Sequence, residues 1–181
     1  MIDYWYWESF FSLKELKDIN KICETHKVKN YEDVKAEYAT KTSLVSGVHY
    51  KDIKDKINNA YQEIISVNNE NFGYNLFNIS DLQILNFNKY NSKQKSEYSW
   101  HCDSSNNHIN DIKFTFLINT SLKKYKGGEF YFFFGRPVTI NAFNKPGSMI
   151  LFKSFLHHKV SPVIKGERSS LAMFLKGPKF V

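Results

Sequence analysis

Apolar positions along this chain follow two spacings, and the change comes after Phe72-Gly73-Tyr74. In the first part, Leu13, Leu16, Ile19, Ile22 and Cys23 recur every three to four residues, which puts them on one side of a helix. Ser12-Leu13-Lys14-Glu15 has the form of a capping box, in which the serine hydroxyl and the glutamate carboxylate each take up a spare N–H at a helix start. A helix therefore opens at Ser12, with Cys23 as a small core residue and His26 at the frayed end. A second helix, over residues 52–68, carries Ile53, Ile57, Ala60, Tyr61, Ile64 and Ile65 as its apolar stripe. Ahead of both, Tyr4-Trp5-Tyr6-Trp7 and Phe10-Phe11 read as a short strand feeding the core, with an aromatic binding platform as the alternative. Residues 30–50 are polar and weakly patterned: a loop, a short strand near residues 42–48, and a candidate substrate lid.

Past Tyr74 the spacing shortens to that of strands. Residues 111–119 alternate cleanly, with Ile112, Phe114, Phe116 and Ile118 on one side and Lys113, Thr115 and Leu117 on the other. Further strands are expected over 81–90, 98–103, 129–134, 138–141, 148–152, 155–160 and 169–176. Turn residues at Gly127-Gly128, Gly135-Arg136-Pro137, Lys145-Pro146-Gly147 and Lys165-Gly166 separate them. The helices need a surface to cover, and the strands supply one. Roughly eight short strands after two helices predict a mainly β fold, a double-stranded β-helix (jelly roll) with both helices on one sheet. From the pattern alone, a plain β-sandwich is the other solution. The expected organisation is one domain over 1–181, with helical support in 1–75 and the β core in 76–181.

A chain of 181 residues can bury about 70% of its unfolded surface in one core. With 16 Phe and 11 Tyr, that core needs no disulfides, and Cys23 and Cys102 do not make a framework. No signal-peptide pattern opens the chain and no apolar run approaches a membrane span, so the expectation is a cytoplasmic protein with no membrane partner. The Asn-x-Ser patterns at Asn78 and Asn119 then carry no glycan. Net charge is +7, spread out except at Lys123-Lys124-Tyr125-Lys126. This reads as a solvated basic surface or as attraction to an acidic partner such as ribosome or nucleic acid. Oligomeric state is not legible.

The chemistry gathers at Tyr98-Ser99-Trp100-His101-Cys102-Asp103. Side chains two apart on a strand share a face, so His101 and Asp103 can converge while Cys102 points away. A second imidazole from the distant pair His157-His158 would complete a 2-His-1-carboxylate set, which suits iron(II) and leaves positions open. Of that pair only one can face the metal. His108, in the loop after Asp103, reads as a solvated histidine, and His26 and His49 have no constellation around them.

Four motifs in order resemble the iron(II)/2-oxoglutarate dioxygenases, in the prolyl-4-hydroxylase-like branch that includes bacterial PKHD-type hydroxylases. They are Tyr98-x-x-His101-x-Asp103, Tyr125-Lys126-Gly127-Gly128-Glu129, His158-Lys159-Val160-Ser161-Pro162-Val163, and Arg168 ten places after His158. The resemblance covers residues 60–176, and the first fifty or so residues carry none of the family's motifs. It implies the jelly roll and picks His158 over His157. It implies that His101, Asp103 and His158 hold Fe(2+), with 2-oxoglutarate and O2 as cosubstrates and ascorbate as a possible reductant. Arg168 would grip the distal carboxylate of 2-oxoglutarate, with Tyr90 and Ser170 as hydroxyl donors, and Tyr98 would face the substrate. The expected reaction hydroxylates an unactivated C–H bond, in a prolyl residue of a protein or peptide, with release of succinate and CO2. A free amino acid, small metabolite or nucleobase is the other substrate, and a jelly-roll module that holds metal without turnover is the other class. One departure stands out: residues 91–97 contain no glycine where many relatives have one, which leaves the position of Tyr90 open.

Overall fold

The computed structural model describes residues 2–26, 28–30, 40–103 and 110–180. The chain runs β1 (Tyr4–Trp7), α1 (Leu13–Glu24), β2 (Val28–Asn30), β3 (Leu44–His49) and α2 (Tyr50–Val67). One π-helical turn, Asn68–Phe72, leads to β4 (Ile84–Asn91), β5 (Tyr98–His101), β6 (Asp111–Asn119) and β7 (Lys126–Gly127). Then come β8 (Phe130–Phe133), β9 (Pro137–Thr139), β10 (Met149–Lys153), β11 (His158–Val160), β12 (Val163–Lys165) and β13 (Glu167–Gly177).

Two antiparallel sheets face each other as a jelly roll. The major sheet has seven strands in the order β1-β10-β6-β13-β4-β3-β2, and the minor sheet has four, β5-β11-β8-β9. The alternation read in β6 is what joins the layers. Phe114, Phe116 and Ile118 turn outward beneath the helices, where they pack with Leu16 and Ile19 of α1 and Ile53, Ile57 and Ile64 of α2. Each such side chain fully buried is worth about 1.5–3 kcal/mol. The inward faces, with Tyr90, Ile150 and Phe152 from the major sheet against Phe130, Phe132 and Val160 from the minor, form a second core. The minor sheet, and the inward-facing polar residues of β4 and β13, are where the site lies.

The capping box at Ser12 and Glu15 forms as read. Leu13 does not join the helix stripe: it is 58% exposed. Helix α2 starts two residues early, at Tyr50, whose N–H reaches Gln83 O at 2.8 Å. The aromatic N-terminus is an edge strand on β10; Tyr4 packs on Phe132, while Trp5 and Tyr6 stay exposed. Strand 155–160 is cut to His158–Val160 by a turn that Leu156 N–H closes on Lys153 O, 3.0 Å away. Strand 98–103 stops at His101. The two-stranded ladder of β12 with β7 was not expected. Residues 31–39 of the expected lid, and His108, lie outside the described residues. Among the described residues no helix is long and apolar enough to cross a membrane.

Candidate active site

Strands β5 and β11 are antiparallel neighbours with His158 directly opposite His101, and their ring centroids are 4.1 Å apart. Asp103 reaches the same point by a different route from the one its spacing implies. Its backbone has left the strand and is tied by its N–H to Ser154 O at 2.8 Å; the Ser154 hydroxyl in turn donates to Ile112 O. The three side chains offer ligand atoms that all lie within 4.8 Å of one another. Asp103 Oδ2 is 3.3 Å from His158 Nε2, and Asp103 Oδ1 is 3.7 Å from His101 Nε2.

The second contacts of these residues fix how they present themselves. His101 Nδ1 lies 2.7 Å from Ser99 O and His158 Nδ1 lies 2.9 Å from Leu156 O. Carbonyl oxygens only accept, so each Nδ1 carries a proton and each Nε2 is the ring nitrogen turned to the centre. Thr115, on the inward face of β6, donates to Asp103 Oδ2 at 2.6 Å. Burial, with the neighbouring His158, drives the His101 imidazole down to about 3, so it stays neutral. Burial pushes the Asp103 carboxyl up, but His158, His101 and the Thr115 hydroxyl outweigh it and hold it below the ordinary carboxylate range. Two imidazole Nε2 atoms and a carboxylate, converging on one point, are a donor set that a divalent cation satisfies and that suits iron(II).

On the facing wall, β13 pairs with β4 so that Arg168 stands opposite Tyr90 and Ser170 opposite Asn88. Arg168 is 1% exposed, and its Nη1 donates to Ser170 Oγ at 3.3 Å. Its Nε and Nη2, both buried, have no hydrogen-bond partner among the described residues. The guanidinium carbon lies 5.3 Å from the centre of the Tyr90 ring and 5.7 Å from that of Phe143. Burial raises the Tyr90 phenol, against the pull of Arg168, so it is a protonated donor. A buried cation with two unmatched donors is costly unless an anion fills the fork, and a carboxylate does so bidentately. The residues present therefore fit both a metal and a dicarboxylate that ends at Arg168.

The candidate metal ligands and the arginine line one pocket, partly open to solvent, of about 50 Å³. Tyr98 also lines it, with its ring stacked on that of His101 at 3.4 Å and 17°. Tyr98 and His101 are three apart, yet share a face, because the register of β5 on β11 shifts between them, as at a β-bulge. His157 is exposed and Cys102 is not among the converging ligands.

A family model described as "2OG-Fe(II) oxygenase superfamily" matches residues 85–176, the stretch from β4 through β13 that holds all these residues. The chain belongs to this superfamily. Its members use iron(II), 2-oxoglutarate and O2. No curated protein matches the chain in sequence. Among solved structures, a prolyl-4-hydroxylase from Pseudomonas putida is similar over 98% of this chain and 94% of its own, with a TM-score of 0.75 at 13% identity. The viral collagen prolyl hydroxylase of Paramecium Bursaria Chlorella virus-1, in its 2-oxoglutarate complex, is similar over 97% of each chain (TM-score 0.71, 16% identity). A Trichoplax adhaerens prolyl hydroxylase, in complex with a hypoxia inducible factor oxygen degradation domain peptide fragment, covers 96% of this chain and 83% of its own (TM-score 0.70, 13% identity).

Three pocket residues of this oxygenase were not singled out from the sequence. Thr115 had a signal, since it is a polar residue on the inward side of a strand whose other side is apolar. Asn88, whose buried Oδ1 has no partner among the described residues, sits two before Tyr90 and so shares its face. Lys41 lies in the weakly patterned stretch and had none. Burial lowers its ammonium to about 8, with Asp103 pulling the other way.

Proposed function

We propose that this chain is an iron(II)- and 2-oxoglutarate-dependent dioxygenase that hydroxylates an unactivated C–H bond, in a prolyl residue of a protein or peptide. The observation that carries the reading is the pairing, within one pocket, of a converging His101–Asp103–His158 set with the unmatched guanidinium of Arg168. When bound, iron and cosubstrate supply the oxidising power that side chains lack, with succinate and CO2 as by-products.

The chain's own residues supply geometry. His101, Asp103 and His158 would hold the metal, and the Ser99 and Leu156 carbonyls keep both imidazoles in the ligating tautomer. Thr115 fixes which carboxylate oxygen of Asp103 turns inward. Arg168, Tyr90 and Ser170 would take the far carboxylate, so that the oxo acid is held at both ends. Phe130 and Phe152, with ring centroids 5.6 and 4.7 Å from that of His158, wall the ligands off from water. Tyr98, half-buried beside His101, would meet the substrate. The prolyl assignment draws its support from the similar structures, one of them holding a peptide, and from a pocket open at the surface.

The test is succinate release by the iron-loaded protein, with and without pools of proline-containing peptides. The expected outcome is slow uncoupled release that such peptides accelerate, with a gain of one oxygen atom in the peptide. Release that no peptide alters, but free amino acids do, would move the substrate to a small molecule; no release at all would remove the reading.

A further inference from the structure

The turn that follows β10, over residues 153–156, touches two of the three candidate ligands at once. Ser154 O accepts the Asp103 N–H at 2.8 Å, and Leu156 O accepts from His158 Nδ1 at 2.9 Å. One short segment therefore sets both where the Asp103 backbone runs and how the His158 ring is turned. Leu156 N–H closes the turn on Lys153 O at 3.0 Å, and Ser154 N–H donates to Lys113 O at 3.1 Å. The Ser154 hydroxyl adds a bond to Ile112 O. On this flank the turn is held by β6.

On the other flank it is held by the start of the chain. β1 pairs with β10 so that Tyr4 stands opposite Phe152, and one step further along the same ladder Asp3 meets Lys153. Lys153 N–H donates to Asp3 O at 3.1 Å, and its Nζ donates to Asp3 Oδ1 at 2.9 Å. The Lys153 side chain is only 6% exposed, against 39% for that of Asp3. A buried ammonium needs a counter-charge, and a carboxylate from the opposed strand position holds the lysine in register as well as in charge. Without that carboxylate the flexible side chain turns its head toward water and draws the first residue of the turn with it. Such a shift reaches Asp103 through Ser154 O and His158 through Leu156 O.

We propose that Asp3 and Lys153 are positioning residues for the metal centre, a cross-strand pair that fixes turn 153–156 and through it the placement of Asp103 and His158. The proposal rests on the metal assignment made above. It extends the working parts of the site to the first strand, outside the stretch 85–176 that the family model matches.

The test is titration of the metal-free full chain with cobalt(II), whose visible bands report the geometry of its ligands without turnover. Asp3→Asn is expected to bind cobalt about tenfold more weakly, the low end of what losing a direct partner of a ligand costs, and to shift the bands. Lys153→Met removes the charge that needs a partner, so it should show the same loss with a melting temperature close to that of the wild type. The double variant should lose no more than either single one, because the two residues act as a unit. Asp3→Glu keeps a carboxylate within reach and should keep the wild-type affinity and bands. Tyr6→Ser, at an exposed position of the same strand, is the control and should leave cobalt affinity unchanged. A lowered melting temperature in Asp3→Asn with normal cobalt affinity and bands would overturn the proposal, reducing the pair to a staple between strands. Losses that add in the double variant, or an equal loss in Tyr6→Ser, would overturn it too, and all three outcomes leave the oxygenase reading standing. Cobalt binding that Asp103→Ala does not weaken would instead remove the metal site, and both readings with it.

Discussion

Arg168 carries a cost in stability that its proposed role, gripping the far carboxylate of 2-oxoglutarate, would explain. It is nearly inaccessible, it is charged, and two of its donors have no partner among the described residues. Removing an uncompensated buried charge in favour of an apolar side chain of similar length stabilises many proteins. Arg168→Met is therefore expected to raise the melting temperature of the metal-free protein by a few degrees, about 1 kcal/mol or more, while 2-oxoglutarate binding is lost. Arg168→Lys keeps the charge but not the fork, and about a tenfold loss of 2-oxoglutarate affinity is expected, with metal affinity unchanged. Calorimetry with both ligands checks the pair; a destabilised Arg168→Met with normal 2-oxoglutarate affinity would go against this role. At this scale the sequence was most informative where chemistry depends on spacing. His101 and Asp103 stood out as a candidate pair from their spacing, whereas the choice of His158 over His157 and the expectation for Arg168 came from the resemblance to the family's motifs. Lys41 did not stand out, since a lysine in a polar stretch gives no sign of what the fold will set beside it.

Strands of the jelly roll were legible in proportion to their length. β6 and β13, of nine and eleven residues, show alternation over enough positions to declare a face. β7 and β12, of two and three residues, are too short to show any period, and their pairing comes from tertiary context. The route of Asp103 was hidden for a similar reason: the bond to Ser154 O comes from a turn fifty residues on. Thr115 is where an element serves the site directly, because the strand that packs under the helices also braces a candidate ligand. Thr115→Val keeps the shape and removes the hydroxyl, so iron(II) affinity should drop about 10- to 100-fold with little change in melting temperature; titration calorimetry reads both. The Gly127-Gly128 turn has the opposite profile. Gly127 has φ +72°, and a Cβ there would come within 2.1 Å of Pro162 O. Gly127→Ala is expected to destabilise the protein by about 1–3 kcal/mol or more, as measured by urea unfolding.

For the molecule as a whole, two sheets and two helices place four motifs, spread from β5 to β13, around one pocket. Layer order and helix placement followed from periodicity, which reports the two faces of the major sheet. Choosing a jelly roll over a plain sandwich needed the family's motifs, because both folds produce the same alternation. The +7 charge is a property of the whole surface and assigns no partner. The central claim is that one pocket holds a ferrous ion at His101, Asp103 and His158 and an oxo acid between that ion and Arg168. Anaerobic titration of the protein with iron(II) and then 2-oxoglutarate, followed by visible absorption, tests it most directly. The predicted result is a metal-to-ligand charge-transfer band that saturates at one iron and one 2-oxoglutarate per chain, fails to form in Asp103→Ala, and needs more 2-oxoglutarate in Arg168→Lys. Iron that binds with no band at any 2-oxoglutarate concentration, or a band indifferent to both substitutions, would contradict it.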